Sequence, residues 1–521
     1  MIHTGLLATR KNSILHMLRY CIYVGFISGY AASFYTLFVE EAAHYSAQLF
    51  GLFERNKWYI LLIMAVVFAV FMICTYVVRL SNVSRGSGVP QAMGLLRGAF
   101  IMKWVRGLIV MLTCSVLGTL VGLSLGSEGP AMIIGGLAAM GACKTLPMYT
   151  RNYMVTGGVS AGIAVAFNAP LSGVAITLEE GHKRFSPVLA FNSLVIVTVA
   201  MITSYAILGY RTILPVSTFE MSWIDVPFLM ILGVIIAVLG VLFNSLLLFF
   251  RRVQKKLKFK HLDLRFAVPF ILTIIVGILL FPATGGGAPL IKSLLGDSYA
   301  LKMLFVLLIV KLLFTVISTS AGIPGGIFVP MLSVGAIIGS IFQHALIGSF
   351  DVHLEVFIVS AMVAYFTAVS HGYVTAILLS VELTHNVFFA IPALIVCTVT
   401  KIAVTLMKTH GLYDTLLDKT ISENTDHIDQ REHFKAFVQP GSFADGRLVT
   451  SLILPAGTKL AMCNGKTADN VRHDIALMPY DVLVFDIETL DNMYAKSVIL
   501  SLLTSKNRFD ELDGVPPHVI L

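Results

Sequence analysis

The stretch GLSLGSEGP, Gly122 to Pro130, and a second one, SAGIPGGIFVP, Ser320 to Pro330, set glycine and proline inside long apolar runs. A helix does not continue through such a stretch undisturbed, because proline lacks an N–H and glycine loosens the backbone. Some fifty residues after each stretch a carboxylate closes an apolar run, Glu179 with Glu180 in one case and Glu382 in the other. Helices broken at corresponding places in two halves point to an internal repeat with an ion site between the halves. Glycine also serves close helix packing in membranes. Packing alone does not account for proline beside glycine in both stretches.

The rest of the composition agrees with a membrane setting. The 521 residues are 57% hydrophobic and 13% charged, with mean hydropathy +0.85. Soluble chains carry about a quarter charged residues, so a soluble enzyme of this length is excluded. Trp58 to Val78, Leu108 to Ser127, Asn152 to Leu178, Phe185 to Tyr210, Val226 to Phe250 and Phe266 to Ile291 hold no acid, lysine or arginine. Leu312 to Phe350 and Val387 to Thr400 are further candidates. A crossing of hydrocarbon takes about 20 helical residues. Continuous apolar runs, not alternating ones, make these helices and not barrel strands. More than ten membrane helices are expected.

Net charge is +8, but residues from Ile421 onward hold 9 Lys and Arg against 14 Asp and Glu. The positive excess therefore sits in the membrane part, beside the spans: Arg79 to Arg106, Lys183 with Arg184, and Arg251 to Lys260. By the positive-inside rule these clusters face the cytoplasm. Nucleic-acid binding is the rival reading of basic clusters, and loops this short report topology instead. Six scattered cysteines suggest no disulfide frame and no metal site. No removable signal peptide is evident at the start. Composition changes near Asp418, after which β-like runs at Ala436 to Val438, Leu452 to Leu454, Lys459 to Met462 and Val482 to Ile487 and a helix at Tyr494 to Thr504 suggest a small soluble domain.

A helix that starts in mid-membrane leaves its first N–H groups without acceptors, at a cost of several kcal/mol each in hydrocarbon. A bound anion accepts from them, and the positive end of the helix dipole favours it without any buried lysine. GSGVP at Gly86 to Pro90, the Glu128 segment, and GGIFVP at Gly325 to Pro330 are three such candidate starts, and Ser87 adds a hydroxyl donor. Glu128 is the first carboxylate after Glu54 and closes an apolar run. An intramembrane acid is a functional candidate by default. Its carboxylate can occupy the anion position, leave on protonation, and so exchange a proton for an ion. A glutamate at a plain water interface is the bland alternative. Glu179 and Glu180 precede His182, Lys183 and Arg184. One reading makes them partners of those cations, the other makes one of them an inner proton acceptor.

GSGVP, GSEGP and GGIFVP resemble, in order and separation, the three signature segments of the CLC chloride channel and transporter family. Ser160 to Glu180 resembles the family's stretch leading to its inner glutamate, and HGLYD resembles the site of its anion-contacting tyrosine. The resemblance covers roughly residues 20 to 417. It implies an all-α polytopic membrane fold of two inverted repeats of re-entrant and broken helices, a homodimer with one pore per subunit, and cytoplasmic termini. Ser87 and Tyr413 would contact a central anion through hydroxyls, and Ile327 and Phe328 through backbone N–H groups. Glu128 would be the external gating glutamate and Glu180 the inner proton-transfer glutamate. Serine at position 87 implies chloride, since other branches carry proline for nitrate or methionine for fluoride. Ser127 departs from the family's usual arginine, His371-Gly372-Tyr373 from its usual turn, and Met132 to Gly136 lacks a frequent glutamine. AFVQPGSFADGRLVTSLILPAGTKLAMCNG followed by PYDVLVFDIE resembles a TrkA C-terminal (RCK-C) regulatory domain of α/β type, a module that either takes a ligand, of unknown identity, or only steadies the dimer.

The sequence thus divides into an N-terminal cytoplasmic segment 1–19, a membrane domain 20–417, and a linker with a cytoplasmic domain 418–521. The expected function is chloride/proton antiport with no cofactor, no metal and no nucleic acid. A passive chloride channel of the same fold is the alternative. An intramembrane hydrolase drawn from Ser87 with Ser370 and His371 belongs to another class. A cation transporter, suggested by the tail alone, lacks a ring of intramembrane acids.

Overall fold

The computed structural model describes residues 2–81, 84–99, 102–146, 148–183, 185–214, 216, 221–256, 265–296, 299–346, 354–423, 432–440, 442–449, 452, 454–455, 458–467, 476–487 and 492–503. Two compact units result, one of Met1–Ala92, Met102–Ala142 and Met154–Leu416, the other of Met93–Ile101, Cys143–Tyr153 and Leu417–Leu521. Of the expectations above, Arg184, Lys258, Lys260, residues 347–350, Ile453 and Thr504 lie outside the described residues.

The first unit is helical and built twice. Its first half runs through α1 (Ile2–Arg55), α2 (Ile60–Val77), α3 (Val89–Leu96, in this unit to Ala92), α4 (Trp104–Leu120), α5 (Glu128–Ala142), α6 (Met148–Phe167, in this unit from Met154), α7 (Pro170–Ile176) and α8 (Pro187–Leu208). The second repeats the order as α9 (Asp225–Lys255), α10 (Ala267–Leu279), α11 (Ala288–Gly296), α12 (Leu301–Ser320), α13 (Phe328–Leu346), α14 (Leu354–Ser370), α15 (Tyr373–Thr384) and α16 (Ala390–Leu406). α1 packs on α4, α5 and α8, as α9 packs on α12, α13 and α16. The breaks after α4 and α12 have the same backbone, with Gly122 at φ +79° and Gly322 at φ +82°, a region that favours glycine. Gly126 and Gly326 face each other in an antiparallel bridge, each N–H donating to the other's carbonyl at 2.6 Å. Equivalent loops pair antiparallel, as a twofold relation between the halves requires and as the expected inverted repeats would have it.

Those breaks revise the hydropathy reading. Trp58 to Val78, Phe185 to Tyr210 and Val226 to Phe250 become single helices, but Leu108 to Ser127, Asn152 to Leu178 and Phe266 to Ile291 are each interrupted, after Leu120, Phe167 and Leu279. Hydropathy misses such breaks because the interrupting residues are themselves apolar or small. Among the described residues, seven helices are long and apolar enough to cross a membrane, and four more apolar helices run 10–17 residues. The expected count above ten is reached only with those short helices, too short for a full crossing. Leu61, Phe68, Ile202, Val234 and Ile391 lie exposed on the long ones, a surface that suits lipid and not water. Glycine also packs helices here: Gly135 of α5 lies against Gly158 and Gly162 of α6.

The helix starts of α7 and α15 are satisfied across the repeat. α7 continues into a π-helical turn, Thr177–His182, which carries Glu179. The Glu179 carboxylate accepts from the N–H groups of Tyr373 (2.8 Å), Val374 (3.0 Å) and Thr375 (2.9 Å) and from the Thr375 hydroxyl at 2.8 Å, at the start of α15. In return Glu382 of α15 accepts from the N–H groups of Leu171 (2.8 Å) and Ser172 (2.7 Å) and from the Ser172 hydroxyl, at the start of α7. Of the two acids expected to supply a partner for the nearby cations, Glu180 does so, with Lys183 at 2.8 Å, whereas Glu179 caps a helix, where orphan N–H groups outweigh a solvated ammonium. His371, at φ +73°, turns the chain between α14 and α15 as Asn168, at φ +50°, does between α6 and α7, so the unusual His371-Gly372-Tyr373 keeps the turn.

After α16 the chain forms α17 (Leu412–Glu423), and the composition boundary near Asp418 falls inside this helix. The second unit holds an antiparallel sheet of β1 (Glu432–Phe437), β2 (Thr458–Cys463), β3 (Lys466–Thr467) and β4 (Val482–Ile487), in the order β1-β4-β2-β3, and α18 (Asn492–Leu503). Leu483, Phe485 and Ile487 alternate into a core with Val498, Ile499 and Leu502 of α18. Three of the four expected runs correspond to β1, β2 and β4. Leu452 and Leu454 are not in a strand, and Leu452 joins the core instead.

Replacing Glu382 with alanine strips the start of α7 of its acceptor and is expected to destabilise the protein by about 1–3 kcal/mol. Thermal unfolding in detergent measures it, and an unchanged midpoint refutes the capping role.

Candidate ion site

Three interrupted segments meet in the first unit. The Gly325 N–H donates to the Gly86 carbonyl at 3.3 Å. Gly129 lies so close to the Ser87 carbonyl, and Gly88 to Gly129, that a Cβ on either glycine overlaps main-chain atoms. Gly326 Cα lies 3.3 Å from where a Gly129 Cβ would sit. α3, α5 and α13 therefore begin at one place, at Val89, Glu128 and Phe328, as the three candidate starts require. Gln91 pins the first of them: its Oε1 accepts from the Gly88 N–H at 2.9 Å and its amide donates to the Arg85 carbonyl. Three helix starts with their first N–H groups converging make a strongly anion-attracting locus.

Glu128 sits in this locus, buried at 4% exposure. Its Oε1 accepts from the Ser127 hydroxyl at 3.0 Å, and its Oε2 has no hydrogen-bond partner among the described residues. The carboxylate lies by the backbone N–H groups of Ser127, Glu128 and Val329, at the starts of both α5 and α13. Ser127 thus supplies a hydroxyl where an arginine would supply charge. Glycine at 126 makes the space, since a Cβ there would fall on Oε2.

The other expected site residues fall nearby. Ser87 and Tyr413 are buried, and neither hydroxyl has a partner among the described residues. A buried unsatisfied hydroxyl calls for a ligand or water. Both Glu128 and Glu180 lie within electrostatic reach of Tyr413, in the first turn of α17. Ile327 and Phe328 are fully buried at the start of α13. The Phe328 ring packs between Phe167 and Phe366, at 4.8 and 4.5 Å between centroids. Glu180, at 1% exposure, lies within the π-helical turn and pairs with Lys183 at 2.8 Å. Ser370 gives its hydroxyl to the Phe366 carbonyl and accepts from the Gly372 N–H, and the His371 ring faces Thr409, an arrangement without a hydrolytic triad.

Two features escape the sequence reading. Gly285 to Pro289, GGGAP, is the second-half counterpart of GSGVP, with Gly285 and Gly287 at positive φ like Gly86 and Gly88. Lys311 of α12 is wholly buried and donates to the carbonyls of Ala283 (3.2 Å), Thr284 (3.5 Å) and Gly285 (2.7 Å), so the loop before α11 is held by a cation. The likeness of the two pentapeptides, and a lone lysine inside an apolar run, are the signals that could have found them.

A multi-pass membrane protein of inverted repeats, with broken helices converging on an anion-type locus, is thereby defined. Residues 68–405 match the family model for voltage gated chloride channels, and the chain belongs to that family. It is 28% identical over 421 residues to the H(+)/Cl(-) exchange transporter ClcA of Vibrio parahaemolyticus, covering 76% of this chain and 89% of that one. Its likeness to the transporter of the same name from Yersinia pestis is 29% over 362 residues, 66% of this chain and 75% of that one. Among solved structures, a slow cyanobacterial Cl-/H+ antiporter superposes with TM-score 0.72 at 28% identity, over 78% of this chain and 98% of that one. A CLC-type fluoride/proton antiporter, at TM-score 0.63 and 19% identity over 77% of this chain and 97% of that one, shares the fold.

Gly126→Ala presses chiefly on the movable Glu128 side chain, with Pro330 Cδ 3.0 Å from the new methyl, whereas Gly129→Ala presses on the Ser87 main chain. The first variant is expected to purify as folded protein and the second to fail. Size-exclusion profiles in detergent decide, and equal behaviour of the two contradicts the packing described.

Proposed function

We propose that the protein is a chloride/proton antiporter in which Glu128 is the external gating and proton-carrying glutamate and Glu180 the inner proton acceptor. The observation that carries this reading is the seat of Glu128: a buried carboxylate at two helix starts, with one oxygen lacking a partner among the described residues. As a carboxylate it fills the place a halide would take. Protonated, it has less reason to stay among N–H donors, and chloride takes the place, held by the Ser87 and Tyr413 hydroxyls and the N–H groups of Ile327 and Phe328. The departing proton reaches Glu180, whose charge acts on the same tyrosine as that of Glu128. The relatives named as H(+)/Cl(-) exchangers support the reaction, and a hydroxyl at position 87 fits chloride. The assembly in this reading is a homodimer with both termini cytoplasmic, and the second unit is a TrkA C-terminal type regulatory module.

Glu128→Gln is expected to keep chloride movement in liposomes and to abolish uphill proton movement driven by a chloride gradient. Persistent proton pumping by that variant defeats the scheme. A wild-type reversal potential fixed by chloride alone makes the protein a passive channel instead. Ser87→Ala removes one hydrogen bond to a charged acceptor, worth about 1.5–3 kcal/mol, or roughly ten- to hundredfold in chloride affinity by calorimetry. Unchanged affinity removes Ser87 from the site.

A further inference from the structure

The inner glutamate is not alone at its end of the site. Lys183 Nζ lies 2.8 Å from Glu180 Oε2 and 3.0 Å from Asp414 Oδ2, so one ammonium joins two carboxylates from different elements. Glu180 is buried with its side chain at 2% exposure, whereas Lys183 and Asp414 keep 39% and 31%. Lys183 holds a left-handed backbone, φ +54°, at the end of the π-helical turn, and this turn aims its side chain back at its own helix and onward to α17. Asp414 directly follows Tyr413 in the first turn of α17. The ammonium therefore links the proposed proton acceptor to the helix that presents the proposed anion-contacting hydroxyl.

Other groups around Glu180 are committed elsewhere or weaker in place. Glu179 caps α15. The His182 ring meets the Thr156 hydroxyl at 2.9 Å. Lys401 of α16 lies within electrostatic reach of Glu180 and donates to the His371 carbonyl at 3.1 Å. His371 itself faces Lys183, Lys401, Asp414 and His410. Lys183 alone among these bridges Glu180 and the chain segment of Tyr413 through contacts at ion-pair distance.

We infer that Lys183 is a positioning residue for the proton step, a latch that holds Glu180 ready as a carboxylate and, through Asp414, couples its protonation to the seating of Tyr413. The inference rests on the exchange reading above. When a proton neutralises Glu180, the ammonium keeps only Asp414 as counter-charge, and its pull passes from the turn after α7 to the first turn of α17. The two partners act on Glu180 with opposite sign. A cation at this distance favours the carboxylate, and an anion competing for the same cation disfavours it.

The test is the pH profile of proton flux in liposomes, measured from the side of Glu180 on the full-length wild type, Lys183→Met, Lys183→Arg and Asp414→Asn. Lys183→Met removes the positive charge, lets Glu180 take its proton at higher pH, and is expected to raise the midpoint by about one pH unit or more. Asp414→Asn leaves the ammonium to Glu180 alone and is expected to lower the midpoint. Lys183→Arg is expected to keep the wild-type midpoint. A merely structural role would slow all variants without moving the profile in opposite directions. Midpoints that stay together, or that move the same way, overturn the inference while wild-type exchange stands. A wild type that moves chloride but no protons overturns the exchange reading first, and the latch with it.

Discussion

A helix that begins within lipid cannot leave its first N–H groups without acceptors, and this one constraint organises the first unit. Among the described residues, the interrupted helices α3, α5, α7, α11, α13 and α15 start inside it. Two of them are closed by covalently tethered carboxylates: Glu179 takes three N–H groups and a hydroxyl of α15, and Glu382 takes two N–H groups and a hydroxyl of α7. α3, α5 and α13 converge, and the acidic side chain among them, Glu128, lies by backbone N–H groups with a hydroxyl hydrogen bond at one oxygen and no partner at the other among the described residues. The same chemistry is thus solved in two ways. Where both carboxylate oxygens are hydrogen-bonded, as in Glu179 and Glu382, the side chain is a structural cap; where one oxygen has no partner among the described residues, as in Glu128, the seat can pass to a dissolved anion.

The scaffold is twofold and the chemistry is not. Loops 121–127 and 321–327, the bridge at Gly126 and Gly326, and the exchanged caps obey the internal symmetry. Against that frame, Glu128 corresponds to Phe328, Ser87 to Gly286, and Glu180 to Leu383. Each half supplies donors, but only the first supplies the acids and the serine hydroxyl. The second half supplies instead the wholly buried Lys311, which holds the loop before α11 through main-chain carbonyls. Duplicated backbone gives the converging helix starts, and side chains placed in one copy give the site its direction.

Much of this was legible in the sequence because interruption leaves a mark. Glycine and proline beside each other predicted all three starts, and Glu128 stood out as an acid in an apolar setting. What remained hidden were relations between distant residues. Nothing local in Glu179 says that it caps α15 and not a neighbouring cation, since the N–H groups it serves lie some two hundred residues away. Nothing in GGGAP marks it as the partner of GSGVP until the repeat is aligned in space, because Gly286 has no side chain to announce a role. Breaks within Asn152 to Leu178 and Phe266 to Ile291 leave no charged residue for hydropathy to register, although Asn168 with Pro170, and Pro282 with Gly285 to Gly287, mark them in the sequence.

The two buried glutamates differ in what surrounds them, and that difference bears on how exchange could work. Glu128 faces backbone N–H groups and a hydroxyl, donors that serve a halide as well as a carboxylate, so competition between the two is direct. Glu180 faces a lysine at 2.8 Å, itself held by Asp414, and sits on a π-helical turn and not at one of the converging helix starts. A charge paired with a lysine responds to protons and to the neighbouring acid, whereas a charge held by helix starts responds to whichever anion is present. Under the proposed exchange, a residue of the first kind suits the step that must admit protons and exclude chloride, and a residue of the second kind suits the step where both meet. Tyr413 lies within electrostatic reach of both carboxylates and so feels the charge state of each.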